Sequence, residues 1–310
     1  MLGGDRDLLV HLPAGYESSE EPWPVVFFFH GYLDRPIHLA PIFIRAVDNA
    51  VAAGEIKPFI AVFPDISIGG TGADDPATSL DERLGSWGVN SNLGRFEDFI
   101  VDELVPWVGE TYRVRRDAAG VGLAGYSAGG FAALKLALKK PWLAQSVAGL
   151  AADIDARYAI GGSHLRPYNA RRYKPITKDQ PRRAVFRAGK LGTFTDEWAY
   201  WPVFDSDREP GPVWKTDRPV WERLRAENPM DLARSGDLNL RAHAFYLVAG
   251  DRDAFFFQHH IAPFTELLTT HGARVDPETP IHSGTHAPTF LIQEAPDLVR
   301  WFSARFEAAP

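Results

Sequence analysis

A run of small residues from Ala118 to Ala124 passes without a break into Gly125-Tyr126-Ser127-Ala128-Gly129-Gly130, and an Ala-, Leu- and Lys-rich stretch follows from Phe131 to Lys139. The run predicts a buried strand, the glycines a sharp turn, and the following stretch a helix. Gly125-x-Ser127-x-Gly129 fits G-x-S-x-G, in which a hydroxyl is exposed on a tight strand-to-helix turn. Side chains at the flanking positions would clash with the neighbouring strand and helix, which is why glycine is needed there. The turn also leaves the Ala128 N–H at a helix N-terminus, where it can donate to an oxygen that gains negative charge. Small-residue loops match the bare pattern by chance, so a Gly-rich packing turn is the competing reading. The strand before, the helix after and the third glycine favour an exposed nucleophile.

The rest of the chain supplies the sheet such a turn requires. Leu8–Pro13, Val25–Phe29, Phe59–Pro64 and Ala244–Ala249 read as strands. Val25–Phe29 is apolar at every position, as expected of a strand buried on both faces. Phe96, Phe99, Ile100, Leu104, Val105 and Val108 recur at helical spacing through Tyr112, and Pro263–His271 and Ile292–Phe306 read as later helices. This alternation predicts an α/β fold with a mostly parallel sheet covered by helices on both faces. The span 153–241 breaks the rhythm with Arg, Pro and aromatic residues. Few of its residues could form an independent core, so it is expected to cap a single domain running from 1 to 310.

A serine hydroxyl is a weak nucleophile until a base takes its proton, and the base must be held by a carboxylate. On a turn of this kind the chain order is Ser, then acid, then His. Gly250-Asp251-Arg252-Asp253 follows the Ala244–Ala249 strand, and Ser283-Gly284-Thr285-His286 precedes the last helix. Asp253 is favoured as the acid because it lies just past the strand, with Asp251 left to bond backbone N–H groups of the turn. His286 is favoured as the base over His282, and His259 and His260 read as packing or surface residues. A second oxyanion donor is expected in Phe29-His30-Gly31-Tyr32, where Gly31 permits the bend and the Tyr32 N–H points inward. His30 is read as fixing that loop by hydrogen bonding.

Bulk properties narrow the function classes. The chain has 310 residues and a formal charge of −7, which argues against nucleic acid or an anionic membrane as main partner. It has no cysteine, so disulfides, thiolate metal sites and a cysteine nucleophile are excluded. No apolar run reaches the ~18–20 residues of a membrane-spanning helix. The first residues lack a basic stretch followed by an apolar one, so no signal peptide is read there. A cytoplasmic location is favoured, and secretion after removal of a leader also fits.

With these pieces assembled, the chain resembles the esterase D-like branch of the α/β-hydrolases, which includes feruloyl esterases, S-formylglutathione hydrolases, enterochelin esterases and mycolyltransferases. The resemblance covers most of 6–150 and 227–302. Beyond the turn it rests on Leu12-Pro13-Ala14-Gly15-Tyr16, His30-Gly31-Tyr32, Phe63-Pro64-Asp65 and Gly85-Ser86-Trp87-Gly88-Val89-Asn90-Ser91. Phe96-Glu97-Asp98, Glu103-Leu104-Val105-Pro106 and Asn228-Pro229-Met230-Asp231-Leu232 add to it. It implies Ser127 as nucleophile, Asp253 as acid, His286 as base and the Tyr32 and Ala128 N–H groups as oxyanion donors, with no cofactor or metal. The family often has Met where this chain has Ala128. Trp87 and Asn90 become candidate substrate contacts or loop-packing residues, and Glu97 an anchor of their loop. Trp198, Trp201 and Trp214 become candidate pocket walls or cap core. The expected activity is hydrolysis of a small-molecule or carbohydrate-linked carboxylic ester through an acyl-enzyme. Transfer of the acyl group to a sugar or alcohol and a non-catalytic binding module are the rivals. Nothing in the sequence sets an oligomeric state.

Overall fold

A strand that is apolar at every position must be covered on both faces, and this requirement organises the molecule. The computed structural model describes residues 2–32, 34–70, 85–91, 94–155, 225–235, 237–255 and 257–308. Its strands are β1 (Leu8–His11), β2 (Val25–Phe29), β3 (Ile60–Pro64), the short β4 (Asn90–Ser91) and β5 (Gly94–Arg95), β6 (Val121–Tyr126), β7 (Ser146–Leu150), β8 (Ala244–Gly250), β9 (Arg274–Asp276) and β10 (Ile281–His282). The helices are α1 (Pro36–Ala52), α2 (Phe96–Asp98), α3 (Val105–Thr111), α4 (Ala128–Lys139), α5 (Pro229–Arg234), α6 (Gln258–Thr270) and α7 (Pro288–Ala308).

The main sheet has the order β1-β3-β2-β6-β7-β8-β10, with β9 pairing β8 ahead of β10. Every pairing in it is parallel except β1 with β3. Successive residues of each central strand face opposite ways. Phe27, Phe29, Leu123, Val147 and Leu247 join one apolar cluster with α4, α5 and α6. Val26, Phe28, Ala124, Ala148 and Val248 join the other with α1 and α7. The mostly parallel sheet with helices on both faces is therefore present, as expected.

Several elements depart from the sequence reading. The amphipathic helix over 96–112 contains a π-helical stretch, Phe99–Leu104, between α2 and α3. Residues Ala118–Gly120 form a 3-10 turn before β6 begins. Helix α6 starts five residues before Pro263, because His260 and Ile261 are buried and extend the packed face upstream. Helix α7 likewise begins at Pro288 rather than Ile292.

Of the expected cap, 156–224 lies outside the described residues, and with it Trp198, Trp201 and Trp214. Both flanks of that span belong to the core: Ile154, Met230, Ala233 and Leu240 are buried in the first cluster. The flanks are bonded to each other. The Met230 N–H donates to the Ile154 carbonyl at 3.1 Å, and Asn228 Nδ2 donates to Asp155 Oδ1 at 3.2 Å.

Phe28 is 1% exposed, with its ring 5.1 Å from Phe43 and 6.0 Å from Phe63. Phe28→Ala is expected to lower unfolding free energy by about 3–5 kcal/mol through lost burial and a residual cavity. Urea denaturation checks this, and a loss below about 1 kcal/mol would show that the aromatic cluster is not a support of this face.

Candidate active site

The turn between β6 and α4 holds Ser127 at φ 56°, ψ −120°, a region that non-glycine residues seldom occupy. Such a backbone costs about 1–3 kcal/mol and persists only when its surroundings fix it. Here the Ser127 N–H donates to the Leu150 carbonyl at 3.0 Å, and the Ser127 carbonyl accepts from Phe131 N–H at 3.1 Å. The motif's glycines are required by distance. A Cβ on Gly125 would lie 2.1 Å from the Gly129 carbonyl carbon, and one on Gly129 would lie 2.1 Å from the Phe29 oxygen.

Ser127 Oγ lies 2.9 Å from His286 Nε2, and His286 Nδ1 lies 2.8 Å from Asp253 Oδ2. The hydroxyl, the imidazole and the carboxylate thus form one continuous hydrogen-bonded relay. The carboxylate is buried, whereas Ser127 and His286 are partly exposed. Asp253 Oδ1 accepts from the Phe255 N–H at 2.8 Å, which leaves Oδ2 aimed at the ring. Asp251 does what a turn residue should: its Oδ1 accepts from Gly284 N–H at 2.9 Å, while Arg252 N–H donates to the Gly284 carbonyl at 2.9 Å. These bonds continue the β8–β10 pairing and hold the acid turn against the histidine loop.

Three rings pack on the His286 imidazole, with centroids at 5.2 Å for Tyr126, 4.7 Å for Phe255 and 5.3 Å for Phe257. The sequence reading missed Phe255 and Phe257, although the aromatic run directly after Asp253 was the available signal. The other histidines are placed elsewhere. His282 Nδ1 pairs with Glu294 Oε2 at 2.8 Å. His260 Nδ1 accepts from Asp155 N–H at 3.1 Å. His30 Nδ1 donates to the Gly31 carbonyl at 2.9 Å, and its Nε2 accepts from Ile66 N–H at 3.0 Å, so it fixes its own loop. Burial would raise the neighbouring Asp65 carboxyl, but the His30 ring beside it and the hydrogen bond from the Ser67 N–H hold it down at about 2.

The loop after β2 runs beside Ser127. A Cβ on Gly31 would sit 3.5 Å from the Ser127 Cβ, in ordinary contact, and 2.5 Å from Asp34 Oδ2, which would have to move. The next residue, Tyr32, accepts at its carbonyl from Gly85 N–H at 2.6 Å. Ala128 opens α4, where an N–H has no carbonyl of its own helix to bond. Trp87 lies between the rings of Tyr32 and Phe131, at 6.1 and 5.1 Å. The Asn90 side chain caps the start of α2, where its Oδ1 accepts from the N–H groups of Glu97 at 3.0 Å and Asp98 at 3.3 Å.

Asp153 is the anomaly of this region. It follows β7, its N–H reaches the Ser127 carbonyl at 3.4 Å, and it is 1% exposed. Neither carboxyl oxygen has a hydrogen-bond partner among the described residues. Burial first, then the charges of Asp155 and Asp253, push this carboxyl well above the usual carboxylate range. A group raised in the folded state supports the fold fully below its unfolded value, near 4. That support is lost as pH climbs through the raised folded value. Asp153→Asn keeps the shape and cannot ionise. Its melting temperature relative to wild type should therefore rise as pH climbs from about 4 toward neutrality in thermal denaturation scans. A difference that does not change with pH would show Asp153 to be ionised or solvated in the fold.

Comparison with known proteins gives the family and the fold. A family model, Esterase, described as "Putative esterase", matches residues 1–277. An endo-1,4-beta-xylanase/feruloyl esterase of Xylanibacter ruminicola is 30% identical over 139 residues, 43% of this chain and 17% of that protein. An esterase of Mycobacterium tuberculosis is 30% identical over 138 residues, 44% of this chain and 27% of that protein. The matched region thus spans under a third of these relatives. Among solved structures, a ferulic acid esterase superposes with a TM-score of 0.64 at 17% identity, covering 98% of this chain and 94% of the other. The S-formylglutathione hydrolase of Agrobacterium tumefaciens gives 0.61 at 16% identity, covering 96% and 89%. At these identities the structures speak for the fold, and the family model speaks for descent. The chain belongs to the Esterase family, whose relatives are carboxylic ester hydrolases of the α/β-hydrolase fold.

Proposed function

We propose that this chain is a serine esterase that cleaves a carboxylic ester in two steps through an acyl-enzyme. The observation that carries the reading is the unbroken relay from Ser127 Oγ through His286 to Asp253, at 2.9 and 2.8 Å. His286 Nε2 takes the hydroxyl proton as Ser127 Oγ attacks the carbonyl carbon, and Asp253 stabilises the imidazolium that forms. The tetrahedral oxyanion is held by the N–H groups of Ala128 and Tyr32. Collapse breaks the ester C–O bond, and His286 returns the proton to the departing alkoxide. Water then attacks the acyl-enzyme with His286 again as base, which releases the acid and regenerates the serine. Every proton is handled by His286, so the cycle needs no cofactor.

The substrate is proposed to be a small-molecule or carbohydrate-linked ester, in keeping with relatives whose names record feruloyl esterase and S-formylglutathione hydrolase activity. Transfer of the acyl group to an alcohol uses the same first step and differs only in what attacks second. No specific observation among the described residues favours it.

Ser127→Ala is expected to reduce kcat on p-nitrophenyl acetate by about 10⁴-fold or more without changing the far-UV circular dichroism spectrum. Wild-type turnover by the variant would remove Ser127 from the mechanism. The two acids should separate as well. Asp253→Asn should lose about 10³–10⁴-fold in kcat, because the amide no longer selects and supports the working imidazole tautomer. Asp251→Asn retains an oxygen for the Gly284 N–H and should stay within about threefold of wild type, an effect below 1 kcal/mol. Equal losses in both would reverse the choice between them.

A further inference from the structure

Lys135 lies two turns along the helix that begins after Ser127, and its side chain is wholly buried. A buried ammonium is tolerated only when it is paired and hydrogen-bonded, so its partners indicate what it does. Its Nζ donates to the Gly88 carbonyl and lies 2.9 Å from Glu97 Oε2 and 3.4 Å from Glu227 Oε2. One turn further on, Lys139 reaches the same two carboxylates at 2.7 and 2.8 Å. Two ammonium groups thus face two carboxylates, and the cluster is neutral. Burial alone would raise the Glu97 carboxyl, but Lys135 and Lys139 outweigh it and hold it down at about 2.

Charge balance does not explain the bond to Gly88. That carbonyl belongs to a turn in which Trp87 and Gly88 both have positive φ, 58° and 63°. For a bulky residue such as Trp87 this conformation is held by its surroundings. The turn contacts the catalytic side of the molecule at two points. Trp87 packs edge-on against the Tyr32 ring, and Gly85, two residues earlier, donates its N–H to the Tyr32 carbonyl at 2.6 Å. The Tyr32 amide is the donor that the reaction needs opposite Ala128.

The structure assigns Lys135 a positioning role: from inside the nucleophile's own helix it pins the Trp87–Gly88 turn and, through it, sets the Tyr32 amide over Ser127. The inference rests on the serine reading above and deepens it. Lys135 touches no reacting atom. Its effect passes through Gly88, Trp87 and Gly85 to an oxyanion donor. The opposing view is that Lys135 only neutralises Glu97 and Glu227 and so supports the fold.

Two variants separate these views. Lys135→Met removes both the charge and the donor while keeping a chain of similar length. Lys135→Met/Glu97→Gln leaves Lys139 balanced against Glu227 and restores charge neutrality, yet still offers nothing to the Gly88 carbonyl. For each, kcat and KM on p-nitrophenyl acetate and the second-order rate of fluorophosphonate labelling are measured below the melting temperature. Positioning predicts that both variants lose about tenfold or more in kcat and labelling rate. KM should change little, and the loss should persist in the double variant even as its melting temperature recovers. A double variant with wild-type kcat and labelling overturns the inference, as does an unimpaired Lys135→Met. Should the single variant fail to fold, the double variant decides alone. Wild-type protein that does not label at all overturns the serine reading itself, and this inference with it.

Discussion

The structure depends on how closely the β6–α4 turn can approach the end of β2. Ser127 can occupy its unfavourable backbone conformation only because Gly129 lets the start of α4 press against the Phe29 carbonyl and Gly125 lets the turn fold back on itself. With that contact made, the rest follows from strand order. The neighbouring β2 brings the Gly31–Tyr32 loop alongside the hydroxyl, and β8, two strands away, brings Asp253. The β8–β10 pairing then delivers His286 into the gap between them. A strained turn, a short loop and a hydrogen-bonded strand pair are therefore one device, because each is held at the carboxyl ends of strands in a parallel sheet whose two faces are filled.

Much of this was legible in the sequence, for identifiable reasons. Strands β2, β3, β6 and β8 are apolar throughout because both faces are covered, and that pattern survives any detail of packing. The candidate nucleophile, acid and base are marked by short motifs at strand ends: the order Ser, acid, His located the two turns, and position within each turn favoured Asp253 over Asp251 and His286 over His282. Elements without a marked pattern were missed. Strand β7 reads Ser-Val-Ala-Gly-Leu, too small and mixed to signal a strand, yet it is fully buried between β6 and β8. Helix α1 carries Pro36 and Pro41, which interrupt the helical pattern a reader searches for. The π-helical stretch in 99–104 changes the periodicity over only six residues, too few to register.

The two least legible groups are Lys135 and Asp153, buried ionisable side chains that the motifs do not include. Lys135 falls in an ordinary-looking alternation of Ala, Leu and Lys, and only the distant Glu97 and Glu227 make it an interior residue. Asp153 looks like the start of a polar segment and is instead sealed beside Ser127, its carboxyl oxygens unbonded. Burial of charge is decided by distant contacts, so sequence periodicity carries little information about it. Both residues flank the Ser127–His286–Asp253 relay, Lys135 behind the Gly31–Tyr32 loop and Asp153 beside Ser127, where perturbed electrostatics most often bears on chemistry.

The bonds between Ile154 and Met230, and between Asp155 and Asn228, close a neck across the 156–224 span. The two ends of that span are thus fastened to each other at the core. The entropy of closing a loop grows only logarithmically with its length, so with the ends fastened the length of the span weighs little on the core. The neck opens at the end of β7, between the strand that bears the serine and the strand that bears the acid. The span can therefore change in length and sequence while its ends stay fastened to the core that holds Ser127, His286 and Asp253 together.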